Sequence, residues 1–464
     1  MGVVTSGTGS IEEEFEGADL GDQRLNRRLL EIGKRLAADP KKSFPKALST
    51  ESELEAGYRF FGNCRVKPEE ILRPHVENTA RRVAGEGVGL LIHDSSTLSF
   101  GSEGFRKDLT ESSGGRQRFI VHASLALSAD GSRRPLGILH TSHHVLSEKS
   151  AGPRSEGYRT RWVDHIEATE ELLDGRASVV HLMDREADSY EILLKLSELG
   201  SRFVVRAKYD RKSGASGQTL QEELRSATFQ AVRTVPLGRR GAIQNGAKQR
   251  KVHPPRLERD AKLTIRSREF CLQRSSGASK NLAESIQLWV LHVVEEHPPE
   301  GESGVEWILH TSEAINSEAD ALRVVDWYRA RWTIEEYFKA LKSGCAFEKR
   351  QLESRHALEN ALAVFLPIAW RLLAIRHAAR QSPDQPASDI FSPFELRVLR
   401  WMVLPRRKKF PEHPSVRDAY LGIAALGGHI RFNGEPGWAT IALGMDDFLR
   451  ALAVAKAAQN GFHL

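Results

Sequence analysis

Two short apolar runs that each end in an aspartate place the strongest constraint on the fold of this chain. The first run covers residues 88–94 and ends in Asp94, and the second covers residues 177–184 and ends in Asp184. Both are short and rich in Val, Leu and Ile, which is typical of buried strands. Because α/β folds keep their sites at the carboxyl edge of the sheet, we expect the two aspartates to meet there.

Further strand and helix patterns surround these two runs. A predicted hairpin joins strands 119–127 and 135–140 through a turn at 129–132. The elements that follow are a helix at 162–173, the Asp184 strand, a helix at 189–199 and a strand at 203–206. The predicted order is therefore βββ-α-β-α-β, which is an α/β arrangement.

Four residues of a predicted helix fall in one narrow stripe when successive residues advance by about 100°. They are Tyr328, Arg331, Glu335 and Lys342. The composition is unusual for a core face and suits an acidic metal ligand flanked by cations that bind phosphate. Two alternatives remain open. Residues 333–336 also form a capping-box pattern, so the helix could restart there, and a solvated network of i,i+4 ion pairs would give the same stripe.

Acidic residues in these positions predict a centre for hard divalent cations. Carboxylate oxygens are the ligands that Mg²⁺ prefers. Two such ions can stabilise the attacking and leaving oxygens together during displacement at phosphorus. A single aspartate after a strand is also typical of a simple turn. The prediction therefore depends on Asp94, Asp184 and Glu335 acting together.

Charge and composition indicate an intracellular protein with a basic region. The 464 residues carry a formal net charge of +6, and residues 202–268 are dense in Lys and Arg. Such a cluster suits a polyanion such as DNA, although a solubilising surface would have the same composition. The three cysteines are far apart, which fits a reducing cytosol. We recognise no signal peptide and no run of about 18 apolar residues, so we predict a cytoplasmic protein without a membrane span.

The first 70 residues are predicted to form a small basic helical module. Asp22 and Thr50 suit helix N-caps, and Pro68 suits the first turn of a helix that we expect to break at Pro74. Arginines occupy one face of the first helix, apart from its apolar face: Arg24, Arg27 and Arg28. An ordinary amphipathic bundle would show the same pattern.

Two later regions depart from the α/β pattern. Residues 210–300 contain short β-like runs, among them 263–265, 270–272 and 286–294, which predicts a β-rich inserted subdomain. A short strand at 307–311 and the Glu335 helix follow. From about residue 358 to the end, helical patterns dominate.

These motifs resemble those of DDE-type transposases of bacterial insertion sequences. The stripe matches the Y-x2-R-x3-E-x6-K signature of one group in this family, which includes the transposase of the bacterial kanamycin-resistance transposon. Residues 92–100 and 183–188 resemble the motifs around its first two acids. Further matches lie at 20–22, 57–60, 202–206 and 425–428. The resemblance covers nearly the whole chain.

The resemblance implies an α/β fold with a ribonuclease-H-like catalytic core and a β-rich insertion, flanked by N- and C-terminal helical domains. We expect a domain at 1–70 that binds transposon ends and a catalytic domain at 71–368 with the insertion at about 210–300. Residues 369–464 would form a helical dimerisation domain. The implied cofactors are two Mg²⁺ ions per active site, for which Mn²⁺ substitutes. The implied partners are double-stranded DNA, from transposon ends and target, and a second copy of the chain.

The implied reaction is cut-and-paste transposition with Asp94, Asp184 and Glu335 as catalytic metal ligands. Water nicks one strand, and the freed 3′-hydroxyl attacks the opposite strand to form a hairpin. Water then reopens the hairpin, and the excised ends join target DNA.

The resemblance also assigns contacts to DNA. Trp307 matches the tryptophan that stacks on a base flipped from the hairpin, although a buried core tryptophan is the alternative. The other expected contacts are Tyr328, Arg331, Lys339, Lys342 and Arg206, with Arg24, Arg27 and Arg28 at the transposon ends. Phe338 departs from the family, whose relative has a polar histidine. His143 and His144 have no clear counterpart, and we expect them in a surface loop.

Three other functions compete with this interpretation. An inactive or domesticated relative could bind DNA and inhibit transposition, but it would not need all three acids. A phosphatase of the strand-aspartate type needs a second Asp two residues after the first, where Ser96 stands. A general nuclease would share the acids without needing an end-binding module.

Overall fold

The computed structural model describes residues 11–38, 40–48, 50–101, 104–111, 115–145, 156–238, 255–407, 409–430, 432 and 434–459. Its N-terminal part is helical. The elements are a 3-10 helix at Ile11–Glu14, α1 (Gln23–Ala38), α2 (Phe44–Ala47), α3 (Glu51–Gly62) and α4 (Pro68–Glu86). Thr50 caps α3, because its side chain accepts a hydrogen bond from the backbone N–H of Glu53 at 3.1 Å.

Helix α4 continues through Pro74, so the predicted break there is wrong. A proline inside a helix removes one backbone hydrogen bond and costs about 3 kcal/mol. Tertiary packing offsets this cost, because Ile71, Pro74 and Val83 are buried. Glu14 of the 3-10 helix also forms a buried contact with His75.

A mixed sheet forms the centre of the protein. Its first part contains β1 (Val88–Ser99), β2 (Thr110–Glu111), β3 (Gln117–Ser128), β4 (Pro135–His144), α5 (Glu156–Leu173), β5 (Ser178–Met183), α6 (Tyr190–Glu198) and β6 (Arg202–Arg206). Spatially the strands lie in the order β4-β3-β1-β5-β6. Strand β3 is antiparallel to both β1 and β4, and β5 and β6 are parallel to β1. This is the ribonuclease-H-like order, so the predicted fold class is confirmed.

The strands of the predicted insertion extend this sheet. They comprise β7 (Thr228–Leu237), β8 (Arg259–Gln273), β9 (Ser285–Val294) and β10 (Glu306–Thr311), with α7 (Leu220–Arg225) before them. Strand β10 pairs with β6, and β9, β8 and β7 follow outward, so that the described part of the chain contains ten strands in one sheet. The runs predicted at 263–265 and 270–272 belong to the single strand β8. The part of the insertion at 239–254 lies outside the described residues.

His143 and His144 lie in β4 and are half-buried, so the prediction of a surface loop is wrong. The strand continues beyond residue 140 because residues 141–144 pair with residues 120–123 of β3. The extra pairs continue the predicted β3–β4 hairpin beyond residue 140, and the length of such a ladder depends on packing against the partner strand more than on local preference.

The C-terminal part is helical and packs on the sheet. It comprises α8 (Glu318–Ala330), α9 (Thr333–Lys339), a π-helical turn at Ala340–Gly344, α10 (Arg355–Gln381), α11 (Pro393–Arg407), α12 (Val416–Leu426) and α13 (Trp438–Gln459). One apolar core runs from α1 through the sheet to α13. Within the described residues, α10 is the one helix long and apolar enough to cross a membrane. The structure buries 89% of its most apolar stretch, which is typical of a core helix.

Candidate active site

Asp94 and Asp184 lie at the same level of two neighbouring parallel strands. Strands β1 and β5 pair with Ile92 opposite Leu182, and each aspartate comes two residues later. Asp94 accepts a hydrogen bond from the backbone N–H of Ser95 at 2.7 Å. Asp184 accepts one from the backbone N–H of Glu186 at 2.7 Å. The strand register therefore brings the two carboxylates together, but β1 continues to Ser99, so Asp94 lies within its strand and not at the strand end that the sequence predicted.

Arg331 connects the third acid to this pair. Its Nη1 donates to Oδ2 of Asp94 at 3.1 Å, and its Nη2 donates to Oε1 of Glu335 at 2.9 Å. The side chains of Arg331 and Asp94 are only 13% and 17% exposed, so solvent screens this ion pair weakly. One guanidinium thus bridges an acid on β1 and an acid on α9.

A separate helix, α9, does begin at Thr333, as one alternative allowed, but the backbone between α8 and α9 stays helical. Arg331 and Trp332 both keep right-handed helical dihedral angles. The N–H of Glu335 bonds the carbonyl of Trp332, which is a tighter i to i+3 turn. Tyr328, Arg331 and Glu335 consequently stay on neighbouring turns of one face.

The acids interact electrostatically across the site. Burial is the largest cause that raises the pKa of Asp94, followed by the charge of Asp184 and a smaller effect of Glu335, and the pKa is about 7. Arg331 and the N–H of Ser95 act in the opposite direction. A partly buried group of three carboxylates is therefore balanced mainly by one guanidinium. The closely spaced carboxylate oxygens of these three residues are suitable ligands for hard divalent cations.

Tyr328 and Trp307 form an aromatic wall beside the acids. Their rings meet edge to face, with centroids 5.5 Å apart, and Trp307 is half-buried on β10. Burial raises the pKa of Tyr328, whereas the nearby charges of Arg331 and Arg206 lower it. Arg206 also donates to the backbone carbonyl of Glu306 at 2.9 Å. The indole ring of Trp307 therefore lies next to the cationic part of the site.

The two lysines that follow Glu335 in the sequence, Lys339 and Lys342, contact different parts of the protein. Lys342, in the π-helical turn, donates to the backbone carbonyl of Thr97 on β1 at 2.7 Å. The Nζ atom of Lys339 lies 5.6 Å from the ring centre of the exposed Trp332. Phe338, where the family relative has histidine, is buried. Lys342 therefore lies beside the strand that carries Asp94.

The N-terminal arginines lie on α1. Arg24 and Arg27 are exposed, and Arg28 is half-buried. Arg24 forms an ion pair with Asp22 at 2.9 Å, and Arg28 forms one with Glu31 at 3.0 Å. Both ion pairs lie at the surface, where such pairs are weak, so a stronger anionic partner can replace them.

The sequence interpretation missed Asp188, four residues after Asp184. Its side chain is fully buried and accepts hydrogen bonds from the backbone N–H groups of Lys208 and Tyr209. Arg211 donates to it through Nε and Nη2 at 3.1 and 2.8 Å. Asp188 thus fixes the segment where the chain leaves the core after β6. Its only sequence signal is its place in the segment 183–188.

The protein therefore has a ribonuclease-H-like core in which three acidic residues lie around one arginine. Residues 8–66 match the family described as "Transposase DNA-binding", and residues 88–366 match the family described as "Transposase DDE domain". Because the second match covers more than half of the chain, the protein belongs to the DDE-domain transposase family. It is therefore a DNA transposase, from a family that generally uses divalent metal ions.

The chain is also similar to the piggyBac transposase in a cryo-EM structure of its synaptic complex with hairpin DNA. The similarity has 8% sequence identity and a TM-score of 0.35, over 96% of this chain and 74% of that chain. The strand order of the central sheet defines the fold.

Proposed function

We propose that this DNA transposase is an active cut-and-paste enzyme of the Y-R-E-K group, similar to the transposase of the kanamycin-resistance transposon. The observation that carries the proposal is the convergence of Asp94, Asp184 and Glu335 around Arg331. The complete acidic set disfavours an inactive relative that only inhibits transposition. The serine at position 96 disfavours a strand-aspartate phosphatase.

The acids fit the metal ions that the family uses. Burial and the charge of Asp184 raise the pKa of Asp94, which indicates that the cluster lacks positive charge. We propose that Asp94, Asp184 and Glu335 hold two Mg²⁺ ions, for which Mn²⁺ substitutes. When bound, these ions stabilise the attacking and leaving oxygens of the phosphoryl transfer.

The neighbouring cations bind and orient the DNA in this proposal. Arg331 exchanges its carboxylate partners for a phosphate oxygen, because its planar fork suits both groups. Lys342 exchanges the carbonyl of Thr97 for a phosphate, and Arg206, Tyr328 and Lys339 border the same strand of DNA. Arg331 and Lys342 would then have an oxygen partner both before and after DNA binds, which limits the cost of burying their charges.

The proposed reaction has four steps. Water attacks one strand at the transposon end and leaves a 3′-hydroxyl. This hydroxyl attacks the opposite strand and forms a hairpin, which water reopens. The freed 3′-hydroxyls then attack target DNA. The same acids serve each step, because each is an in-line displacement at phosphorus.

The domain roles complete the proposal. Residues 1–70 bind transposon ends, residues 71–368 carry the chemistry and residues 369–464 hold two copies together. Both substrates are double-stranded DNA, so we place the protein in the bacterial cytoplasm, associated with the nucleoid.

Excision in cells tests the proposal as a whole. A plasmid would carry a resistance marker between the two DNA segments that flank the coding region in its source. Expression of the protein should remove the marker segment and leave a rejoined plasmid. Binding to both segments without any excision would favour the inhibitor instead.

Replacement of Trp307 by alanine should slow hairpin formation by roughly ten- to hundredfold. Hairpin formation bends the DNA end sharply, and stacking of an expelled base on an aromatic ring is worth roughly 1–3 kcal/mol, where about 1.4 kcal/mol is tenfold in rate. The first nick needs no flipped base and should slow much less. Timed gel analysis of nicked and hairpin products separates the two steps.

The variant Trp307→Phe keeps an aromatic face and serves as the matched control, with partial recovery of hairpin formation expected. If Trp307→Ala slows nicking and hairpin formation equally, Trp307 is a core residue or positions the DNA in general. Unchanged rates in both steps would remove it from hairpin formation.

Replacement of Arg24, Arg27 and Arg28 together by glutamine should weaken end binding at least about tenfold. Each lost phosphate contact should also reduce the slope of log affinity against log salt by about 0.9. Fluorescence anisotropy with end duplex at several salt concentrations measures both. Arg323, exposed on α8 and paired with Asp320, lies outside the end-binding domain and provides the control variant Arg323→Gln, which should bind normally. Unchanged affinity in the triple variant would place recognition elsewhere.

The protein should form a dimer on paired transposon ends through its C-terminal helices. The exposed side chains of Trp401 and Phe432, 73% and 92% accessible, suit an interface, because large aromatics dominate such contacts. Analytical ultracentrifugation with cut-end duplex should give two chains and two duplexes per complex. A complex of one chain and one duplex that completes strand transfer would contradict this.

A further inference from the structure

Three fully buried histidines lie behind the catalytic strand. His93 is on β1, His122 on β3 and His165 on α5. Each offers one ring nitrogen within 4.8 Å of a ring nitrogen on both of the others. Because side chains alternate along a strand, His93 points away from Asp94, to the opposite face of the sheet. The cluster is therefore separate from the catalytic acids.

Hydrogen bonds fix which nitrogen of His93 faces the cluster. Glu170 accepts a hydrogen bond from Nε2 of His181 at 3.0 Å, which leaves Nδ1 of His181 as the acceptor when the ring carries one proton. This Nδ1 lies 2.8 Å from Nε2 of His93, which must therefore be the N–H donor. The Nδ1 atom of His93 is then bare, with its lone pair towards the cluster, 2.9 Å from Oγ of Ser124.

The same hydroxyl lies between two of the three rings. Oγ of Ser124 is 2.9 Å from Nδ1 of His93 and 2.8 Å from Nδ1 of His165. The other nitrogen of His165 lies 2.8 Å from Oγ of Ser142, which can either donate to it or accept from it. His165 can therefore expose Nδ1 as a lone pair by a change of tautomer, without loss of a proton.

The third ring has an unsatisfied nitrogen. Nδ1 of His122 contacts Oγ of Ser95 at 2.8 Å, whereas its Nε2 has no hydrogen-bond partner among the residues that the structure describes. A buried polar atom without a partner costs about 1–3 kcal/mol. Burial lowers the pKa of both His122 and His165, so their rings are neutral and able to donate lone pairs.

We propose that His93, His122 and His165 form a structural site for a transition-metal ion of the Zn²⁺ class. Imidazole nitrogens suit Zn²⁺ and Co²⁺ and not Mg²⁺. Zn–N bonds of about 2.0–2.1 Å in a tetrahedron separate the nitrogens by roughly 3.4 Å, so the rings need to approach by at most about 1.4 Å. The Ser124 hydroxyl or a water molecule completes the tetrahedron.

The contacts around the site have the form of an outer ligand shell. Glu170 fixes His181, and His181 fixes His93, just as carboxylates commonly orient metal-binding histidines. Ser201 donates to the same carboxylate oxygen of Glu170 at 2.6 Å. The ion would join α5 to β1 and β3 directly behind Asp94, and so hold the catalytic strand in place.

Titration with Co²⁺ tests this proposal without reliance on activity. The protein is prepared without a polyhistidine tag and with Asp94→Asn, Asp184→Asn and Glu335→Gln combined, which removes the carboxylate site. We expect one Co²⁺ per folded chain, with the visible absorption bands of four-coordinate cobalt bound to nitrogen. A folded carboxylate variant that binds no Co²⁺, and contains no Zn²⁺ as isolated, would overturn the proposal.

Two further variants in the same background assign the ligands. His122→Gln removes a ligand and should weaken Co²⁺ affinity by more than about a hundredfold, whereas Glu170→Gln removes an outer contact and should weaken it by about 10–100-fold. Glu167→Gln, one turn earlier on α5 and paired with Lys195, should bind Co²⁺ normally. If His122→Gln fails to fold, the Co²⁺ affinity of Glu170→Gln tests the site instead. The Glu170 side chain is partly exposed, so its replacement should leave the protein folded. Unchanged affinity in Glu170→Gln would then contradict the site.

Discussion

Replacement of Asp94, Asp184 or Glu335 by alanine should abolish cleavage of transposon-end DNA and leave end binding intact. Each change removes one of the carboxylates that converge on Arg331. Metal ions supply several kcal/mol of stabilisation to the transition state, and about 1.4 kcal/mol is tenfold in rate. The expected loss is therefore at least about a thousandfold. Gel assays of Mg²⁺-dependent nicking and anisotropy of end binding measure the two effects separately.

The neighbouring acid provides a matched control for this prediction. Glu336 follows Glu335 directly, but its carboxylate pairs with Arg380 of α10 at 3.2 Å. Glu336→Gln should therefore nick DNA at a near-normal rate. Any folded alanine variant of the three acids that nicks DNA at the wild-type rate would remove that residue from the catalytic site.

Arg331→Ala should lower the nicking rate by roughly a hundred- to a thousandfold, which is the second-largest effect we expect. Arg331 is the main counter-ion of Asp94 and Glu335 in the protein alone, and we expect it to bind phosphate in the complex. Loss of one positioned donor at a developing charge commonly costs about 10²–10³ in rate. Arg331→Lys should recover little, because one ammonium group cannot reproduce the two-pronged contact.

Arg329 supplies the control for Arg331, since it lies two residues earlier and pairs with Asp326 at 3.0 Å. Arg329→Ala should nick normally under single-turnover conditions with saturating protein. Thermal denaturation of both variants would separate a folding defect from a catalytic one. Arg331→Ala with wild-type nicking and normal stability would show that the guanidinium only neutralises the acids in the absence of DNA.

The parts of the site that were predicted from sequence are those encoded locally. Asp94 and Asp184 end apolar runs, and parallel pairing of two such runs suffices to bring them together. Arg331 and Glu335 are four residues apart on one helix, so helical geometry alone makes them neighbours. What the sequence did not give is the contact between Arg331 and Asp94, which joins residues 237 positions apart.

The parts that were missed depend on long-range packing. The strands at 228–294 extend the central sheet because β10 pairs with β6, a choice that no local pattern encodes. Helix α4 passes through Pro74 because its buried face outweighs a lost hydrogen bond. The three histidines of the cluster lie on β1, β3 and α5, so no spacing in the sequence predicts that they meet.

We propose that Asp94, Asp184 and Glu335 form a two-metal centre that acts on DNA. Crystals of the protein bound to its own end duplex, grown with Mn²⁺, would test it directly by anomalous diffraction. We expect two anomalous peaks between these three carboxylates, close to the scissile phosphate, and the loss of at least one peak in Asp184→Ala. DNA bound at this site with no peak among the carboxylates, or with the peaks unchanged in Asp184→Ala, would contradict it.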